Sequence, residues 1–428
     1  MMGRAVVTVL ATLLLAAACV QAQTDTVKYV PKYLDPVSEE IRKLNEDRED
    51  YRDSVTDAIE DRQEELEEYE RLNRKWIKCD LSNIVMPESP DVFPPQFHFP
   101  PVRQYWTGTC WSFSTTSFLE SEIYRIHGRK IRLSEMYTVY FEWLEKARRF
   151  VRERGKSSTS AGSESNAVFR IMKKYGAVPL DAYRGYIDDP RHNHDALDCE
   201  IEEYLEYVED EDVWDEEYVA QSVALILDKH IGKPPESFEY EGKSYTPAQF
   251  LADVMKLNLD DYVAIMSTLE FPFYEPGPFD VHDNWWFDSS YYNVPLDEWY
   301  AAFKGAVTNG YTVAIGGDIS EAGLNGLQDA AFIPDFDIPQ DYINQSSREY
   351  RMYNEATTDD HGVHCIGYLE LDGRDWYLVK ESSSRGYWGK HVGYMFYRDD
   401  YVRLKMMEFA VHKDAVPELL KKFAVCTD

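Results

Sequence analysis

The stretch that decides the fold is Gln104-Tyr105-Trp106-Thr107-Gly108-Thr109-Cys110-Trp111-Ser112-Phe113, in which one cysteine stands six residues after a glutamine and heads a helix-like run. Residues 112–125 (SFSTTSFLESEIYR) lack Pro and Gly and carry Phe113, Phe118, Leu119 and Ile123 at near-helical spacing. That spacing predicts a helix with Cys110 at or just inside its N-terminus and Thr109 as its cap. Unpaired N–H groups and the positive end of the macrodipole favour thiolate over thiol there, so the sulfur is a candidate nucleophile. Gln104 supplies a side-chain amide that, together with the Cys110 backbone N–H, would give a developing oxyanion two donors. An inert, buried cysteine is the competing reading of such a residue.

Upstream, residues 86–102 (MPESPDVFPPQFHFPPV) hold six prolines and predict an extended strap leading into the cysteine segment. Residues 37–78 are dense in charge, with Ile41, Leu44, Tyr51, Val55, Ile59, Leu66, Tyr69, Leu72 and Trp76 recurring mostly at spacings of three, four or seven. They predict one long amphipathic helix, or two in a hairpin, whose apolar stripe packs on the rest of the chain or on a second copy. Residues 1–23 (MMGRAVVTVLATLLLAAACVQAQ) combine Arg4, an apolar run and Val20-Gln21-Ala22, which reads as a secretory signal cleaved after Ala22. Lipoprotein anchoring through Cys19 is the weaker alternative. Cleavage leaves Cys79, Cys110, Cys199, Cys365 and Cys426, an odd count that leaves at least one thiol unpaired or intermolecular, Cys110 being the candidate.

The chain has 428 residues, 44% of them hydrophobic, enough for a substantial core. A net charge of -32 argues against nucleic-acid binding and against docking on anionic lipid, since no basic field exists to meet phosphates. No segment after the leader is apolar over the length of a membrane span. Nothing in the reading requires a cofactor or a metal.

Downstream of Cys110, Leu133-Ser134-Glu135 followed by residues 136–151 predicts a helix capped by Ser134. Residues 156–164 read as a polar loop and 165–175 as a further helix ended by Gly176. From about 188 to 295 the composition turns acidic and largely helical, which predicts an insertion between two halves of a core. From Gly310 the pattern changes to short apolar runs at 311–315, 363–369, 376–379 and 392–397, expected as strands of an antiparallel sheet. Gly316-Gly317-Asp318 closes the first run, where small residues would let a substrate backbone come close; a plain loop is the other reading.

A cysteine nucleophile needs a base, and Asp359-Asp360-His361-Gly362-Val363-His364-Cys365-Ile366-Gly367-Tyr368 offers two histidines. Side chains alternate along a strand, so His361 and His364 point to opposite faces and only one serves Cys110. The Gln104 to Phe113 stretch resembles the nucleophile segment of papain-like cysteine peptidases, which runs Gln, five residues, Cys, Trp, a small residue, Phe. Aligned on the Gly-Tyr that ends the second motif, His361 falls on that family's catalytic histidine. The resemblance narrows to the bleomycin hydrolase and aminopeptidase C branch through 133–151 (LSEMYTVYFEWLEKARRFV), 174–179 (KYGAVP), 232–238 (GKPPESF), 357–362 (TTDDHG) and 411–414 (VHKD).

The resemblance implies an α+β, papain-like fold: a helical half bearing Cys110, a sheet half bearing His361, and the cleft between them. It implies hydrolysis of peptide bonds, as an aminopeptidase or an endopeptidase, with Cys110 as nucleophile, His361 as base and Gln104 in the oxyanion hole. The expected organisation is a signal peptide over 1–22, a helical extension over 23–85 and the peptidase domain over 86–428. The expected partners are peptide substrates and a second copy of the chain, in the periplasm or outside the cell.

Two departures stand out. Only 417–428 follow the last matching segment, where the branch has a long arm reaching into the cleft, so its amino-terminus recognition and its hexameric ring stay open. Where the family has Asn-Ser-Trp-Gly, this chain has Glu381-Ser382-Ser383-Ser384. The competing function is therefore a catalytically weakened peptide-binding or scaffold protein of the same fold. Asp372-Gly373 predicts a tight hairpin that returns this segment to His361. A two-residue loop would set Ser384 opposite His361 with Ser382 on the same face; a three-residue loop would turn Glu381 and Ser383 there instead. Glu381 is the favoured replacement for the asparagine, because a carboxylate accepts the imidazole N–H and stabilises the imidazolium. Ser383 is the alternative.

Overall fold

Cys110 to His127 does form a helix, and what it lies against determines the architecture. A computed structural model of the chain describes residues 29, 31–94 and 96–424. The expected signal segment over 1–22, with Cys19, and the cysteine at 426 lie outside the described residues. The chain divides into two units, 1–76 and 77–428.

In the first unit the charged segment is one helix, α1 (Pro36–Asn73), of 38 residues rather than a hairpin, and none of its residues is buried. Asp35 caps it by accepting from the Ser38 N–H at 2.8 Å. Its ion pairs, such as Arg42 with Glu39, are exposed and screened by solvent, so they add little to its stability.

The second unit has a helical layer formed mainly by α2 (Cys110–His127), α3 (Glu135–Arg152), α4 (Ser165–Tyr175), α5 (Asp195–Asp210) and α6 (Glu216–Ile231). Ser134 caps α3 by accepting from the Tyr137 N–H at 3.1 Å. Thr109 occupies the cap position of α2 but does not cap with its side chain; its hydroxyl bonds to that of Thr107 at 2.7 Å instead. Phe118, Leu119, Ile123, Trp143 and Phe169 fill this half, each buried apolar side chain contributing about 1.5–3 kcal/mol.

Within the expected insertion, the helices end at Ile231 and a small hairpin follows, β1 (Phe238–Tyr240) with β2 (Lys243–Tyr245). The remainder is not separate from the core. It supplies β3 (Tyr262–Met266), β4 (Pro276–Gly277) and β5 (Tyr291–Asn293) to the main sheet. That sheet continues with β6 (Val313–Gly317), β7 (Leu324–Asn325), β8 (Ala330–Ala331), β9 (His361–Leu371), β10 (Arg374–Lys380), β11 (Tyr394–Arg398) and β12 (Met406–His412). The ten strands run in the order β4-β5-β3-β12-β6-β9-β10-β11-β8-β7. α7 (Leu296–Thr308) packs on the sheet through Trp299 and Phe303, against Ile315, Val363, Tyr377 and Phe409. Gly316 and Gly317 belong to β6 and not to a loop; a side chain on Gly317 would run into the β12 backbone, 2.4 Å from the Lys405 carbonyl oxygen.

The other face of β9 receives α2. A Cβ built on Gly362 would lie 3.0 Å from Ser114 Oγ and 3.6 Å from Trp111 Cα, so glycine here lets the strand approach the first turn of the helix. The result is the helix-against-sheet junction at which Cys110 and His361 meet.

Candidate active site

β9 and β10 are joined by the two-residue turn Asp372-Gly373, both at positive φ (53° and 71°), with Leu371 paired to Arg374. Continued unbroken, that register would bring Ser384 and Ser382 to the face of His361. It does not continue: Leu378 pairs with Gly367, but Val379 pairs with Cys365, leaving Ile366 as an extra residue in a β-bulge. One extra residue turns everything beyond it to the other face. The bulge thus does what a three-residue loop would have done, and it presents Glu381 to His361.

His361 Nε2 and Glu381 Oε1 are 2.5 Å apart, in a site where the two side chains are 4% and 1% exposed. The same oxygen accepts the backbone N–H groups of Ser382 and Ser383, each at 2.8 Å. With Nε2 committed to Glu381, Nδ1 is the ring nitrogen left for Cys110, which stands within hydrogen-bonding reach of the imidazole and is partly exposed. Burial by itself would push the His361 ring down. The charges of Glu381 and Cys110 and the hydrogen bonds to both outweigh it and hold the imidazole well above its ordinary range. Burial likewise opposes ionisation of Glu381, yet the charge of His361 and the hydrogen bonds it receives keep the carboxylate below its ordinary range. The three groups form a row in which the imidazolium lies between the Glu381 carboxylate and the Cys110 sulfur.

His364 lies on the opposite face of β9, fully buried, with Nδ1 2.8 Å from Ser117 Oγ of α2. Burial and the charge of Lys380 hold it well below the ordinary histidine range, so it is neutral and packs the helix onto the strand.

Gln104 is buried and tied to the same β10 extension. Its backbone N–H donates to the Ser382 carbonyl at 2.9 Å, and the Ser382 hydroxyl donates to Gln104 Oε1 at 2.7 Å. Its Nε2 donates one hydrogen to the Thr107 carbonyl at 2.7 Å, leaving the second for another acceptor. Cys110 opens α2, so its backbone N–H has no acceptor within the helix. The second amide hydrogen of Gln104 and the Cys110 N–H are thus two donors without an acceptor of their own. Sequence reasoning raised Ser382 only as a neighbour of His361 and missed that its hydroxyl fixes the Gln104 amide, a contact 278 residues apart in the chain. Nor did it find Trp111, whose indole N–H donates to the Ala161 carbonyl at 3.2 Å and anchors the loop before α4.

Among the described residues, Cys79, Cys110, Cys199 and Cys365 are all free thiols. Among the described residues, no group of three or more His, Cys, Asp or Glu is arranged to hold a metal, and no helix is long and apolar enough to cross a membrane.

No protein-family model matches the chain, and no curated protein matches it in sequence. Solved structures do match it. PepW from Lactobacillus rhamnosis HN001 aligns with a TM-score of 0.65 and 16% identity over 93% of this chain and 96% of its own. A mite allergen structure, from work on Blo t 1 and Der p 1, aligns with a TM-score of 0.35 and 15% identity over 78% of this chain and 74% of its own, too distantly to carry weight. With the Cys110 helix laid against the His361 strand, and PepW superposing over nearly the whole of both chains, the protein has the α+β, papain-like fold.

Proposed function

We propose that the chain is an exported cysteine peptidase that hydrolyses peptide bonds. The observation that carries this reading is the row Cys110, His361, Glu381 at the junction of helix and sheet, the histidine and glutamate buried and the cysteine partly exposed, with the Gln104 amide and the Cys110 N–H as the donors an oxyanion would use. In the reaction, the Cys110 thiolate attacks the scissile carbonyl carbon, and its oxygen takes the negative charge against those two donors. The C–N bond then breaks as His361 passes its proton to the departing amine, leaving an acyl-thioester. His361, now neutral, takes a proton from water; the resulting hydroxide attacks the acyl carbon and the thioester bond breaks, releasing the carboxylic acid and the Cys110 thiolate. Glu381 holds the ring and stabilises its cationic form throughout.

The test is turnover of fluorogenic peptides by the purified chain, with Cys110→Ala as control. Iodoacetamide at mildly acidic pH is expected to label Cys110 first and to abolish turnover, because a sulfur paired with an imidazolium reacts where ordinary thiols are protonated. Cys79 and Cys365 are buried, and burial pushes both thiols up. Cys199 is the exposed comparison. Equal labelling of Cys199, or turnover that survives Cys110→Ala, would sink the assignment.

We also propose self-association through α1, whose Ile41, Leu44, Ile59, Leu66 and Leu72 are each at least half exposed. Light scattering on the mature chain is expected to report a larger species than on a truncation beginning at Asp80. An unchanged mass would remove α1 from the interface.

A further inference from the structure

The segment 156–164, between α3 and α4, has no regular secondary structure, so its backbone groups have no ladder to pair in. Three consecutive carbonyls are held by side chains instead. Lys146 Nζ donates to those of Ser160 and Gly162, and between them the Ala161 carbonyl takes the Trp111 indole N–H at 3.2 Å. The same loop meets the chain just ahead of the nucleophile, since a Cβ built on Gly108 would lie 2.9 Å from Ala161 Cβ. Gly108 and Trp111 bracket Cys110. The crest of the loop, with Ser160 exposed and Ala161 and Gly162 partly so, therefore walls the surface at the sulfur.

Lys146 sits within α3 and is 1% exposed. Its ammonium lies 5.7 Å from the Trp143 ring centroid and 5.6 Å from that of Trp285, and its hydrogen bonds run to the two loop carbonyls. Burying an ammonium is costly, and an apolar side chain would fill the space at less cost. What an apolar side chain cannot do is gather two carbonyls from one side. One turn earlier on the same helix, Glu142 holds the end of the loop: its Oε1 accepts from Ser163 Oγ at 2.6 Å and from Trp285 Nε1 at 2.8 Å. The segment carrying Trp285 also leans on the loop directly, because a Cβ on Gly162 would lie 2.1 Å from an Asp283 carboxylate oxygen.

We propose that Lys146 is a positioning residue of the peptidase: it latches the loop 158–163 against Gly108 and Trp111 and so fixes the wall along which a bound peptide lies. The proposal rests on the peptidase reading and adds to it a residue that acts on substrate only through the loop. The latch holds while the ammonium is charged. Burial pushes Lys146 down to about 8, with Arg170 of α4 adding to the effect and Glu142, Asp283 and Asp198 of α5 opposing it. A lysine lowered to about 8 loses its proton as pH rises through that value, and a neutral amine holds two carbonyls more weakly than an ammonium does.

The experiment measures KM and kcat for a fluorogenic peptide on the full chain, from about pH 7 to about pH 9.5. In the natural chain KM is expected to rise severalfold over that range. Lys146→Met is expected to raise KM about tenfold already at the lower pH, with a smaller effect on kcat. Lys146→Arg, whose charge persists, is expected to keep KM low throughout, and any effect of His361 is common to both chains. A natural KM that stays flat, a KM unchanged in Lys146→Met, or one that climbs in Lys146→Arg as in the natural chain would overturn the latch. Should Lys146→Met not fold, the pH comparison decides. Hydrogen exchange at 158–163 needs no turnover: it is expected to quicken in Lys146→Met and to be restored in Lys146→Arg. That pattern in a chain that cleaves no peptide would overturn the peptidase reading and leave the latch standing. Unchanged exchange in Lys146→Met would overturn the latch.

Discussion

Replacing Glu381 by alanine is expected to lower kcat about ten- to a hundredfold, about 1.4–2.7 kcal/mol of transition-state stabilisation, while Ser383→Ala changes little. The asymmetry follows from the contacts: Glu381 Oε1 is 2.5 Å from His361 Nε2, whereas Ser383 meets the Glu381 carboxylate through its backbone N–H at 2.8 Å, a contact that Ser383→Ala retains. Glu381→Gln separates the hydrogen bond from the charge. An amide oxygen still accepts the imidazole N–H, but the anion that outweighs the burial of His361 is gone. The sign is definite. A histidine raised above its ordinary value of 6.5 keeps its proton, and the stability its partners confer, until pH climbs through the raised value. Without the carboxylate that limit moves down, so the alkaline limb of kcat/KM is expected at lower pH in Glu381→Gln than in the natural chain. An unmoved limb would mean that the Glu381 charge does not hold the imidazolium. A larger loss in Ser383→Ala would transfer the orienting role to the serine.

The positions of Cys110 and His361, the proposed nucleophile and base, are legible because each is written in local pattern: a helix start at Cys110, and a strand whose alternation separates His361 from His364. The partner of His361 was harder to read. Its identity depends on the parity of the strand register, and that parity is set by an extra residue at Ile366, beside Gly367, a strand glycine of the kind that marks a bulge but that the reading of the turn alone left out. β12 (MMEFAVH) went unread for a different reason. A strand covered on both faces shows no alternation, and all seven of its residues are buried. The expected insertion failed at its second half because β3 and β5 are short and flanked by acidic loops, so composition outweighed pattern. Asp359 and Glu408 look like ordinary surface acids in a chain with net charge -32, and only the pairing of β6 with β9 and β12 brings them to one place, at Gly316.

Gly386 provides the second large effect, since Gly386→Ala is expected to cost about as much in kcat as removing Glu381, together with about 1–3 kcal/mol of stability from overpacking. A Cβ at this position would lie 2.3 Å from Glu381 Cγ and 2.6 Å from its Cβ, distances at which one of the two residues must move. The glycine backbone is not the one free to yield. Its carbonyl accepts the Gly393 N–H, and Gly393 in turn accepts the Glu381 N–H at 2.9 Å while its own Cα abuts the Pro101 ring, 2.2 Å from where a side chain would begin. Glu381 is therefore displaced from the His361 ring, and the ring loses both its orientation and its counter-charge. A double-mutant cycle identifies the cause. In a Glu381→Ala background the added methyl has no carboxylate to displace, so Gly386→Ala is expected to lower kcat little further while still lowering the melting temperature, because the Cβ contact remains. Losses in kcat that multiply across the two substitutions would show that the turn at 384–387 supports catalysis by some route other than Glu381. A Gly386→Ala chain that is less stable but fully active would show that the backbone yields instead of the carboxylate.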